Sequence, residues 1–192
     1  MCTAQYFRSV VCVAHHLTRR YATVWGVALK VGIETVNDLR DKLKYERERV
    51  IDTQHPYDFF NFVVTAWHLH HDWMKEDKEN RPKLFHKKVN LSPQPIKELI
   101  KAIRDLANGS KHFRLDGKNE KKKVVLSVHQ PEVRDYYSYF FGAQRGVSLE
   151  GAYYSIGDIV CIVDEYFDWL FDDNVPESDF PVKLLNYLTS RV

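Results

Sequence analysis

The sequence predicts a mainly α-helical protein, a helical bundle with a small insertion of a β-hairpin or three strands. Along four long segments, apolar residues recur at intervals of three, four and seven residues, as they do in amphipathic helices. Short runs rich in β-branched residues lie instead between residues 123 and 149. A bundle with a small β insertion accommodates both patterns.

The composition bounds the domain organisation. The chain has 192 residues, of which 44% are hydrophobic and 14% aromatic, which is enough to fill one core. We expect a single domain over residues 33–192, with the β insertion at about 123–149. Residues 1–32 fit neither helical nor strand periodicity, so they could form a helix, an appendage or an extension that the core does not need.

Charge and cysteine content exclude several classes of protein. The net charge is only +2, so any nucleic-acid surface must be local. The three cysteines are odd in number and far apart, which argues against a disulfide framework or a zinc site and fits a reducing cytoplasm. No apolar run approaches the roughly 18 residues that span a bilayer, and no signal peptide is predicted. We therefore expect a cytoplasmic protein with no membrane partner and no cofactor.

The first two predicted helices follow one another closely. The first extends from Glu34 to about Asp52 and carries a narrow apolar stripe. His55-Pro56 ends it, and Pro56 suits the first turn of the next helix because its missing N–H would be unpaired there anyway. The second helix covers about 57–77. Its polar stripe consists of Asn61, Thr65, His68 and Asp72.

The remaining segments alternate between loops, helices and strands. Residues 80–95 hold three prolines and a basic run and are predicted to form a loop, followed by a helix from about 93 to at least 107. We expect strands at 124–128, 133–141 and 147–149. A helix is predicted at 150–172, with an outer face made of its acidic residues, and a short helix at 181–188. The acidic residues of that outer face are Asp158, Asp164, Glu165, Asp168 and Asp172.

The segment WHLHHDW contains suitable metal ligands, since His68, His71 and Asp72 lie three to four residues apart. A regular helix directs His70 into the apolar face, His68 nearly the opposite way and His71 to a border, so they do not converge on one ion. We expect a core histidine at His70, a surface pair of His68 and Asp72, and no metal. Metal-dependent hydrolysis would need a further ligand such as Asp105 or His112.

Residues 103–112, IRDLANGSKH, allow two interpretations. If the helix continues, Lys101, Arg104, Asn108 and His112 share one face, turned away from the core stripe. Arg can bind phosphate oxygens, Asn can orient a hydroxyl, and His can exchange a proton near neutral pH. If the helix ends at Asn-Gly instead, Gly109 takes a left-handed conformation, and the following basic residues only complement the helix dipole.

This segment resembles the HEPN superfamily, small helical proteins of prokaryotic toxin, stress and phage-defence systems, many of which are metal-independent endoribonucleases. Their signature is Arg, four to six residues and His, often with Asn after the Arg; some branches are similar to Ile-Arg-x-x-Gly-Asn-x-x-Ala-His. The resemblance implies a homodimer that acts on RNA. Arg104, Asn108 and His112 would be catalytic, and Lys101, Lys111, His68 and Asp72 would contact the substrate.

A second hypothesis belongs to another class. Where the family signature has Arg directly before the Asn, this chain has Ala107. The alternative is therefore a catalytically inert module that uses the bundle to bind a protein partner, for example as a regulatory or immunity protein.

Overall fold

The computed structural model describes residues 32–111, 125–129, 146–149 and 152–189. It is mainly α-helical with a small antiparallel sheet, so the predicted fold class is confirmed. The chain divides after Gly32. Residues 1–31 of the predicted N-terminal segment lie outside the described residues, and the domain bounds stay predictions.

The helices and strands are numbered in chain order. The helices are α1 (Val36–Thr53), α2 (Pro56–His68), a π-helical turn (Leu69–Trp73), α3 (Met74–Glu76), α4 (Phe85–Leu91), α5 (Gln94–Lys111), α6 (Ile156–Phe171) and α7 (Val182–Thr189). The strands are β1 (Val125–His129), β2 (Gly146–Leu149) and β3 (Ala152–Ser155), in the antiparallel order β1-β2-β3. In the described part of the chain, none of the helices has the length and apolarity that a membrane crossing requires.

Helices α1 and α2 form an antiparallel hairpin. The backbone N–H of Asp38 donates to Thr35 Oγ1 (3.2 Å) and the Asp38 carboxylate accepts from the Thr35 N–H (2.8 Å), a reciprocal pair that fixes the start of α1. Gln54 ends the helix in the left-handed conformation (φ 47°). Lys42 Nζ on α1 then reaches Thr65 Oγ1 on α2 at 2.6 Å.

Helices α5 and α6 run antiparallel to each other. The Lys88 ammonium of α4 donates to the carbonyls of Trp169 (2.6 Å) and Asp172 (2.7 Å), so the start of α5 lies near the end of α6. Helix α5 also packs against α7, whose Tyr187 hydroxyl bonds to Asp158 in the first turn of α6. The four long helices therefore alternate in direction around one core. Its largest fully buried side chains include Leu43, Phe62, Leu99, Ile103, Tyr166 and Phe167.

Two predicted boundaries are wrong. The predicted loop at 80–95 contains the helix α4. Its Phe85 and Lys88, three residues apart, are both buried on the same side of this helix. The helix predicted from residue 150 begins at Ile156, since Ser155 and Asp158 form a second reciprocal capping pair and β3 occupies Ala152–Ser155. The strands expected at 124–128 and 147–149 correspond to β1 and β2. The strand expected at 133–141 lies outside the described residues.

The predicted acidic outer face of α6 is wrong at Asp164. This residue is only 9% exposed. Arg40 Nη2 lies 2.7 Å from Asp164 Oδ1 and Arg47 Nε lies 2.9 Å from Asp164 Oδ2, so two arginines of α1 pair with one carboxylate of α6. Arg40 also bonds to Asp168 at 2.7 Å. The two basic residues stand seven apart on α1, two turns of one helix face, which is the sequence signal for this contact.

Candidate functional site

Helix α5 continues through Gly109 to Lys111. Of the two interpretations of residues 103–112, the helix end at Asn-Gly is therefore wrong. Ala107 is 1% exposed and Ile103 1%, so their side of the helix faces the core. Arg104 and Asn108 stand one turn apart on another face of α5.

Lys101, Arg104 and Asn108 together are named the α5 edge. Arg104 donates to Asp105 Oδ1 from Nε (3.0 Å) and from Nη2 (2.8 Å), and its side chain is 35% exposed. Lys101 Nζ bonds to Glu98 Oε1 at 2.6 Å. Both cations of the α5 edge are thus paired with carboxylates of their own helix. The side chain of Lys111 and all of His112 lie outside the described residues.

The π-helical turn shapes the histidine segment. Asp72 Oδ2 lies 2.7 Å from His68 Nδ1, so the predicted pair is confirmed. Asp72 Oδ1 lies 2.7 Å from His71 Nδ1. The regular helix predicted through this segment is wrong, because a π turn adds a residue to one helical turn. One carboxylate therefore holds two imidazoles.

His68, His71, Asp72 and Lys75 together are named the π cluster. The Lys75 ammonium can only donate, so at 2.9 Å it donates to His71 Nε2, and the ring proton of His71 faces Asp72 from Nδ1. Trp67 stacks on the same ring (centroids 4.7 Å apart, planes at 17°). The His71 ring is therefore held on three sides, by Asp72, Lys75 and Trp67.

His68 differs from His71 in its second ring nitrogen. Its side chain is 35% exposed, and within the described residues its Nε2 makes no hydrogen bond. Burial would raise the pKa of Asp72, but the hydrogen bonds from His71 and His68 outweigh it and lower that pKa. An ionised carboxylate at Nδ1 leaves His68 Nε2 oriented to accept or deliver a proton.

His70 is the core histidine that the sequence predicts. Its ring packs among Phe85 (5.8 Å between centroids), Tyr166 (6.1 Å) and Phe167 (6.3 Å), and Nε2 meets the Tyr166 hydroxyl at 3.4 Å. Burial is the main cause that lowers the pKa of His70 to about 4. Among the described residues, no group of three or more His, Cys, Asp or Glu is placed to hold a metal ion.

The α5 edge and the π cluster lie at different positions along the axis of the bundle. The Tyr166 hydroxyl bonds to His70 in the π turn and also to Ser92, just before α5, so the π turn lies beside the start of α5. Arg104 stands ten residues beyond Gln94, about 15 Å along the helix. The structure therefore does not bring His68 and Asp72 together with Arg104 and Asn108.

The fold and these two clusters define a helical-bundle protein with a polar edge on α5 and a carboxylate-held histidine pair. No family model, curated protein or solved structure matches this chain. The comparisons therefore leave the resemblance to the HEPN superfamily untested. The sequence reasoning missed the role of His71, whose signal is the adjacent pair His71-Asp72 followed by Lys75 one turn later.

Proposed function

We propose that this chain is an RNA-directed, HEPN-like protein that acts as a metal-independent endoribonuclease. The continuation of α5 through Gly109 supports this proposal. The helix carries Arg104 and Asn108 on one face and extends to Lys111, the residue before His112, which is the last residue of the segment that resembles the family. A helix ending at Asn108 would have left His112 off the face that Arg104 and Asn108 share.

In the proposed reaction, His112 takes the proton of a ribose 2′-hydroxyl. The 2′-oxygen then attacks the adjacent phosphorus, and the bond to the 5′-oxygen breaks as that oxygen receives the proton that His112 took up. The products are a 2′,3′-cyclic phosphate and a 5′-hydroxyl. Arg104 turns from Asp105 to the phosphate and stabilises the developing charge, while Asn108 orients the substrate. Lys101 and Lys111 contact neighbouring phosphates, and His68 and Asp72 contact a different nucleotide of the same strand.

The assembly proposed is a homodimer in the cytoplasm, as part of a stress or phage-defence system. Two copies of the α5 edge with His112 would face each other across one cleft, as the resemblance implies. Sedimentation of the purified chain tests the dimer directly, and a monomer over the micromolar range would contradict it.

The test of the activity is incubation of the purified chain with mixed RNA, with and without a chelator, beside His112→Ala and Arg104→Ala. General acid–base catalysis contributes about 10²–10⁴-fold, so the His112 variant is expected to lose activity by that factor. His86→Ala is the matched control, since His86 is an exposed histidine of α4. Cleavage that needs a divalent ion, or that survives His112→Ala, contradicts the proposal.

A second candidate function is a catalytically inert module that binds a protein partner. Two observations favour it: Ala107, which stands where the family signature has Arg, is 1% exposed, and Arg104 is already paired with Asp105. Absence of cleavage by wild type, together with tight binding of a defined partner that Arg104→Ala weakens, would replace the first proposal with this one.

A further inference from the structure

A pocket of about 510 Å³ opens at the end of the bundle where α1 begins and α6 ends. It is lined by Asn37 of α1, by the segment from Lys78 to Lys83 between α3 and α4, and by Phe171 and Asp173 at the end of α6. This volume falls within the roughly 300–1,000 Å³ of small-molecule sites. It lies near the end of α6, away from the α5 edge.

The walls of the pocket are pinned by hydrogen bonds. Asp77 accepts from the Val36 N–H (3.0 Å) and from the Asn80 N–H (3.2 Å), which ties the segment to the start of α1. Asp173 accepts from the N–H groups of Lys83 (3.1 Å) and Leu84 (3.2 Å). The segment is therefore held at both ends, so the pocket is formed without a ligand.

The charges around the pocket are paired differently from those of the rest of the surface. Along the described ranges, most other basic side chains bond to a carboxylate, as Arg104 does to Asp105. Lys78 and Lys83 both line the pocket, and among the described residues neither ammonium makes a hydrogen bond or ion pair. Arg81 bonds through Nη1 to the Met74 carbonyl at 2.8 Å and has no carboxylate partner there.

The two carboxylates of the pocket, Glu79 and Asp173, offset two of its three positive charges and leave the third in excess. Asp173 already accepts two backbone N–H groups, which leaves it turned toward the Lys83–Leu84 backbone. Glu79 is exposed and, within the described residues, forms no ion pair with either lysine. Three cationic groups thus stand around one concave surface with two carboxylates, and an anion that approaches them replaces water rather than breaking an existing ion pair.

Phe171 adds an aromatic surface to the same pocket. It is partly buried, packs against the core and lines the pocket together with the basic segment. We propose that the pocket binds a nucleoside monophosphate, either free or as the phosphorylated end of an RNA strand. The phosphate lies against Lys78, Arg81 and Lys83, and the base lies on Phe171.

The test is calorimetric titration of the full chain with AMP, adenosine and inorganic phosphate. The double variant Lys78→Gln/Lys83→Gln is expected to weaken AMP binding at least tenfold, because it removes two charge-assisted contacts. Its matched control, Lys87→Gln/Lys183→Gln, removes two exposed lysines elsewhere (68% and 86% exposed side chains) and is expected to change the affinity less than twofold. Phe171→Leu is expected to weaken AMP about tenfold and to leave phosphate binding unchanged.

Two further arms identify the source of the nucleotide. A 5′-phosphorylated tetraribonucleotide that binds more tightly than AMP indicates an RNA end, while AMP binding at least as tightly indicates a free nucleotide. The proposal is overturned if wild type does not bind AMP at millimolar concentration, if the Lys78/Lys83 variant binds it as wild type does, or if the control pair weakens it equally. An unchanged AMP affinity in Phe171→Leu overturns the base contact. Binding of AMP is expected whether or not the chain cleaves RNA.

Discussion

The α5 edge and the π cluster use the same types of side chain in opposite ways. On the α5 edge, Arg104 donates from Nε and Nη2 to Asp105, so its guanidinium is already paired. In the π cluster, Asp72 holds His68 by Nδ1 and leaves Nε2 without a partner among the described residues. Asp105 pairs with the guanidinium of Arg104, whereas Asp72 fixes the orientation of the His68 ring. His68 Nε2 is therefore open to a further hydrogen bond, whereas Arg104 would have to leave Asp105 before it could bind an anion.

The largest effect in the comparison is expected at His70, on the buried side of the π turn. Its pKa falls from an ordinary 6.5 to about 4 because of burial. The unfolded chain takes up this proton below pH 6.5 and the folded chain does not, so stability present above pH 6.5 is lost as the pH falls toward 4. The expected loss is about 3 kcal/mol. The His70→Phe variant has no titratable group at this position, so its stability should not show this loss.

The measurement is the free energy of unfolding in urea for wild type and His70→Phe at several pH values between 7.5 and 4. The difference between the two proteins should move in favour of the variant as the pH falls. His86→Ala, a change at an exposed histidine, should follow wild type over the whole range. Parallel curves for wild type and His70→Phe would mean that His70 is not held neutral.

A smaller effect is expected at Gly109, where the α5 edge depends on a continuous helix. Gly109 is exposed and lies inside α5, so Gly109→Ala should stabilise the chain by about 1 kcal/mol. Gly32 is the matched control, since its φ of 81° is left-handed and Gly32→Ala should be destabilising. Thermal or urea unfolding measures both. Destabilisation by Gly109→Ala would instead favour a helix end at Asn-Gly, and His112 would then not share the face of Arg104 and Asn108.

The smallest effect is expected at Asp72, the carboxylate of the π cluster. Because hydrogen bonds from the two histidines lower its pKa, its stabilisation is present above the unfolded value near 3.9 and is lost as the pH falls through the folded pKa. The side chain is 40% exposed, so Asp72→Asn should cost at most about 1 kcal/mol at pH 7.

Urea unfolding of Asp72→Asn at pH 7 and at pH 2.5 tests this expectation against Asp52→Asn, a change at an exposed carboxylate of α1. The Asp72 variant should approach wild type at the lower pH, and the Asp52 variant should differ little at either. A cost for Asp72→Asn that is the same at both pH values would show that shape, not charge, holds the two imidazoles.

The parts of the site that sequence reasoning found are those set by residues one turn apart. The pair of His68 and Asp72 and the shared face of Arg104 and Asn108 both follow from i, i+4 spacing on a helix. The π turn was not predictable in this way. A period of 3.6 residues has no place for an extra residue, and that residue is tolerated because Leu69 and Met74 on either side of it are both fully buried.

The prediction for Asp164 was wrong for a similar reason, because local spacing does not reveal a contact with another helix. On α6, Asp164 lies among apolar residues at the helical spacing of an exposed residue. It is buried because it pairs with Arg40 and Arg47 of α1. The start of α6 is different, because Ser155 and Asp158 are a capping pair that the sequence does contain. That signal was overlooked in favour of a longer helix.

By itself the sequence determined the class of fold, the positions of the long helices and the two local side-chain pairs, because each depends on contacts within one or two helical turns. The tertiary structure decided that His71 joins His68 on one carboxylate, that the π cluster and the α5 edge lie at different positions along the bundle axis, and that Lys78 and Lys83 line one pocket. These features depend on how antiparallel helices pack, and no spacing within one segment specifies which residues of another segment will lie beside it.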